Sequence, residues 1–145
     1  MNRTGFTLVE LLIVFSISMI LFGIIGSIAS NTYPKNQLRS ETQTVVQTIR
    51  QAQVLTLARK NDTVWGVHFE GTTMTLFAGS SYQTRDELLD RTHVFASGVI
   101  VSGLTDIVFV SLTGTTQQTG QIILSSQATS ESLTLTINEN GVVSL

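Results

Sequence analysis

The sequence predicts an α+β protein in which one long amino-terminal helix leads into an antiparallel β domain. Three observations predict it. No charge occurs from Leu11 to Ala29, where Leu, Ile, Val, Phe and Met dominate. From Lys35 to Lys60 the apolar residues recur at helical spacing. From Val64 onward they recur at every second position, broken by turns that contain Gly or Asn. A length of 145 residues fits one small domain with an appended segment.

The first five residues, 1–5, form a polar leader with one positive charge, Arg3. The run that follows, if helical from Phe6 to Ala29, is ~36 Å long, enough to cross a hydrocarbon core of ~30 Å. The expected organisation is therefore 1–5 leader, 6–30 hydrophobic transmembrane or filament-core helix, and 31–145 amphipathic helix plus β domain. Pro34 lacks an amide hydrogen and its ring crowds the preceding turn, which predicts a kink or a new helix start there. Two helices joined by a loop at Ser30 to Tyr33 is the alternative.

In the amphipathic helix, Leu38, Val45, Ile49 and Ala52 share one face. Arg59 and Lys60 are expected in its last turn, where cations suit the dipole, with Asn61-Asp62 as the break. Trp65, Val67 and Phe69 then alternate with Val64, Gly66 and His68, and a turn at Glu70-Gly71 returns the chain through Thr73 to Ala78. A short helical turn is expected around Glu87-Leu88-Leu89. Further strands are expected at 99–101, 107–112, 121–125, 133–137 and 142–145. Asn138 to Gly141 makes a tight turn, since Asn-Gly readily takes positive φ.

Composition excludes several chemistries. There is no cysteine, hence no disulfide framework and no thiolate zinc site. The net charge of -2 calls for neither nucleic acid nor acidic lipid. Arg91 is the last basic residue, so the carboxy-terminal part lacks the clustered cations that phosphate binding needs, and DNA is not expected as a partner. Lys35, Arg39, Arg50, Arg59 and Lys60 could form a basic helical stripe, diluted by Glu41 and Asp62; a solvated face or subunit contact explains it better.

Catalytic signals are missing. His68 is expected to face solvent from its strand, and His93 lies beside a loop near Asp90. No phosphate loop, paired-carboxylate motif or His-x-x-x-His occurs. Asp86, Glu87 and Asp90 lack the spacing of a calcium loop and read as a solvated acidic turn. Trp65 and Phe69 read as core. No enzyme activity, cofactor or metal is expected.

One residue resists a purely greasy reading. An ionised carboxylate inside hydrocarbon is disfavoured, yet Glu10 stands near the start of the apolar run. A secretory signal peptide, for which Ser27-Ile28-Ala29 offers a cleavage site, gives Glu10 no purpose. The stretch "GFTLVELL", Gly5 to Leu12, resembles the prepilin cleavage motif of type IV pilins and type II secretion pseudopilins. That resemblance implies a pilin-like fold, a cut by prepilin peptidase between Gly5 and Phe6, N-methylation of Phe6, and Glu10 as the fifth residue of the mature chain. The cut places a cationic amine on the positive end of the helix dipole, where a neighbour's Glu10 can pair with it. The resemblance implies that such a pair sets the register between helices whose buried apolar surfaces form a filament core. The chain departs from many family members in having Gly23 and Gly26 but no proline inside the apolar run, and no carboxy-terminal cysteine pair.

Past Pro34, "VVQTIRQAQVLTLARKNDTVWGVHF" resembles the minor pseudopilin group labelled GspH/FimT, as does the ending "LTLTINENGVVSL". The resemblance implies a minor pilin or pseudopilin of a type IV pilus, competence pseudopilus or type II secretion pseudopilus. Its partners would be other pilin or pseudopilin subunits, prepilin peptidase, the inner-membrane assembly platform, and membrane lipid before assembly. The subunit would span the bacterial cytoplasmic membrane once, with its globular domain outside the cytoplasm. A major pilin is the first alternative; an exported or anchored β domain that binds ligand, using residues 1–30 only for export, is the second.

Overall fold

The computed structural model describes residues 7–145, with the side chains of 24–33 outside the description. Helix α1 runs from Leu8 to Leu57 without interruption. At about 1.5 Å per residue its 50 residues make a rod of about 75 Å. Pro34 lies inside it, so the chain neither restarts there nor forms a loop at 30–33. A proline inside a helix costs about 3 kcal/mol through one lost hydrogen bond and a ring clash, and the long ladders on either side carry the helix across it.

The expected core face is the observed one. Leu38, Val45, Ile49 and Ala52 are buried, joined by Thr42 and Thr56, whose hydroxyls donate back to the carbonyls of Leu38 and Ala52. The helix ends earlier than its pattern suggests. Ala58 is its C-cap, and Arg59, Asn61 and Asp62 adopt left-handed backbone angles. Arg59 and Lys60 therefore lie beyond the last turn and do not serve the helix dipole; Arg59 pairs instead with Asp62 at 2.8 Å.

Two antiparallel four-stranded sheets follow. The first has β1 (Trp65–Glu70), β2 (Thr73–Ala78), β3 (Arg91–Val94) and β5 (Asp106–Val108), in the order β3-β2-β1-β5. The second has β4 (Val99–Gly103), β6 (Gly120–Ser126), β7 (Ser132–Ile137) and β8 (Val143–Ser144), in the order β4-β6-β7-β8. Trp65, Val67 and Phe69 meet Met74, Leu76, Ile107, Ile122, Leu124 and Leu135 in one core against α1. Thr56 joins helix to sheet: its hydroxyl oxygen accepts from the Trp65 amide at 2.8 Å.

Two local features depend on glycine. Gly66 faces the outer side of β1, where a Cβ would collide with the Phe77 ring and the Ile107 carbonyl. Gly141 alone in the Asn138–Gly141 turn takes positive φ, at 72°, and its amide donates to the Asn138 carbonyl.

Several expectations are corrected. The run 107–112 leaves the sheet after Val108: Phe109 makes one bridge to Thr116, and a turn closes from Val110 to Thr115 around Leu112 and Gly114, both at positive φ. Strand β3 had no counterpart in the sequence reading. His68 does not face open solvent, because the outer face of the first sheet is covered: Tyr82 stacks on the His68 ring at 3.7 Å.

Candidate functional site

The amino-terminal part of α1 is unlike any other surface among the described residues. From Leu8 to Phe22 its large apolar side chains are exposed on every side of the helix, Leu8 and Phe22 at 77% and 78%. A helix that is apolar all round belongs in a core or a membrane. The two serines in this stretch satisfy themselves: Ser16 donates to the Leu12 carbonyl and Ser18 to that of Val14, each at 2.7 Å. Neither hydroxyl then needs water.

Among the described residues no helix is long and apolar enough to cross a membrane. The described apolar side chains, Leu8 to Gly23, cover about 24 Å of helix, short of a core of about 30 Å. The rest of the expected segment, 24–30, lies outside the described side chains. Gly5 and Phe6 lie outside the described residues.

Glu10 stands at the helix start and is held there by Thr7. Thr7 is the N-cap, and its hydroxyl accepts from the Glu10 amide at 3.3 Å. In return one Glu10 carboxylate oxygen accepts from the Thr7 amide at 3.0 Å and from its hydroxyl at 2.9 Å. This is a capping box, with a carboxylate set over the positive end of the helix dipole. The sequence reading missed Thr7; the spacing Thr-x-x-Glu was the signal that could have found it.

The other candidate residues are engaged within the fold. His68 Nδ1 meets Asp106 at 2.8 Å. His93 is not paired with Asp90: its Nε2 lies 2.8 Å from Glu41, which also accepts from the Ala96 amide. Glu41 therefore points inward and does not dilute the basic face of α1. Asp90 accepts from Arg85 at 2.7 Å, a bond that raises the Arg85 pKa further above its ordinary value. Asp86 caps the turn at the Leu88 amide, and among the described residues no cluster could hold a metal ion. Trp65 and Phe69 are core. Of the basic series, Lys35 pairs with Glu131 at 2.6 Å, while Arg39 and Arg50 are exposed on α1.

Residues 1–26 match the family model of the prokaryotic N-terminal methylation motif. The chain thus carries the amino-terminal signal of type IV pilin-like and pseudopilin proteins. No curated protein and no solved structure matches it.

Proposed function

We propose that this chain is a structural, non-enzymatic subunit of a pilin-like filament: a minor pilin or pseudopilin of a type IV pilus, competence pseudopilus or type II secretion pseudopilus. One observation carries the reading. The methylation motif runs into a helix whose first part is apolar on all sides while its second part is docked on a β domain. Bare apolar surface of this kind needs lipid or other helices as its solvent.

Before assembly the apolar segment crosses the cytoplasmic membrane once, with the β domain outside. Prepilin peptidase cuts between Gly5 and Phe6, and the new terminus at Phe6 is N-methylated. Its amine then lies one residue from Thr7, whose groups hold the Glu10 carboxylate within the chain. On assembly Glu10 pairs with the terminus of a neighbouring subunit, which replaces one charge-assisted contact by another and fixes the register. The preference for a minor, GspH/FimT-like subunit is supported by the helix that ends at Leu57 and enters a β hairpin at Trp65.

Intact-mass measurement and amino-terminal sequencing test this reading on the chain isolated from cells that contain prepilin peptidase. A methylated start at Phe6 is expected. A start near Ser30 or Asn31, or retention of residues 1–5, refutes it.

A further inference from the structure

We propose that the turn carrying Leu88 docks into the groove between α1 and β8 of a second copy of this chain. The inference rests on the assembly reading and names one contact within it.

Leu88 is 94% exposed, more than any other large apolar side chain of the β domain. It sits on a turn fastened at several points. The Asp86 amide donates to the Ala78 carbonyl at 2.9 Å, and the Asp86 carboxylate accepts from the Leu88 amide at 3.1 Å. Arg85 donates to Asp90 and to the Tyr82 carbonyl, both at 2.7 Å, and its guanidinium lies 3.8 Å from the centre of the Tyr82 ring. Tyr82 in turn stacks on His68 of β1. The apolar tip is thus held out in a fixed position with acidic shoulders, Asp86 and Glu87, the latter keeping only a 3.7 Å contact with Arg85.

A groove of about 560 Å³ lies between α1 and the β7–β8 edge. Val46, Leu135 and Val143 form its apolar floor, with Gln47 and Arg50 exposed at the rim. Arg50 has no ion-pair partner among the described residues. An apolar tip between acids matches an apolar floor beside a base, the arrangement of an anchor residue with charge-set register.

The chain has no native cysteine, so introduced pairs report without background. Full-length Leu88→Cys and Gln47→Cys are co-expressed in cells and oxidised in the membrane and filament fractions. A mixed disulfide dimer is expected, while neither variant alone dimerises. Adding Arg50→Glu or Glu87→Lys should abolish the dimer, and adding both should restore it. The same samples are sequenced from the amino terminus. A chain that starts at Phe6 and enters filaments without forming the mixed dimer overturns the contact and leaves the assembly reading standing. Capture of Leu88→Cys by a different subunit only also overturns it. A chain that does not start at Phe6 overturns the assembly reading and this contact with it.

Discussion

Replacing Thr56 with valine tests the joint between the rod and the β domain. Thr56 is fully buried, and its hydroxyl accepts from the Trp65 amide at 2.8 Å while donating to the Ala52 carbonyl at 2.9 Å. Valine keeps the shape and deletes the oxygen, leaving the buried Trp65 amide without that acceptor. An orphaned buried donor costs about 1–3 kcal/mol. For a chain of this size a loss of about 2 kcal/mol lowers Tm by roughly 4–8 °C. Thr56→Ser keeps the oxygen and loses one methyl group, about 0.8 kcal/mol, so it should melt between wild type and the valine variant. The assay is thermal unfolding of the full chain in detergent, followed by fluorescence of Trp65, the single tryptophan. If Thr56→Val melts with wild type, or above Thr56→Ser, the joint does not depend on this oxygen.

Other substitutions probe separate parts of the molecule. Gly66→Ala places a Cβ 2.6 Å from the Phe77 ring and 2.7 Å from the Ile107 carbonyl, and should lower the urea midpoint by an amount worth about 1–3 kcal/mol. Glu41→Ala removes the acceptor shared by His93 and the Ala96 amide, and should destabilise by about 1–3 kcal/mol in the same assay; Glu41→Gln, which can still accept from Ala96, should lose less. Glu10→Val should leave the membrane-bound amount unchanged while the variant disappears from sheared filaments; normal incorporation would remove the case for register pairing.

What the sequence disclosed divides along physical lines. The buried face of α1 was legible because 3.6-residue spacing and burial coincide at Leu38, Val45, Ile49 and Ala52. Strands β1, β2 and β7 were legible for the same reason at a period of two. Strand β3 was not, because Arg91 to Val94 is polar and lies at a sheet edge, where no apolar face is demanded. The early helix stop was hidden because it depends on Arg59 adopting a left-handed conformation that few arginines take. His68 was expected to face solvent because it alternates with core residues, but its cover, Tyr82, comes from a turn beyond β2 and leaves no local trace. At the candidate site, the capping pair was legible in the spacing of Thr7 to Glu10, whereas Gly5 and Phe6, expected from the motif, lie outside the described residues. The prominence of Leu88 was not legible, since it arises from hydrogen bonds of Asp86 to Ala78 and Leu88 and of Arg85 to Tyr82 and Asp90.

Among the described residues the β domain covers α1 from Lys35 to Leu57, while from Leu8 to Phe22 the rod is bare. Bare helices can approach to about 8–10 Å between axes, whereas a folded body of about 100 residues has a radius of gyration near 13 Å. Parallel rods gathered by their thin ends at one height would drive their thick ends into each other. Close gathering therefore demands a step along the axis from each rod to the next, so a staircase is imposed by girth alone, before any side chain chooses a partner.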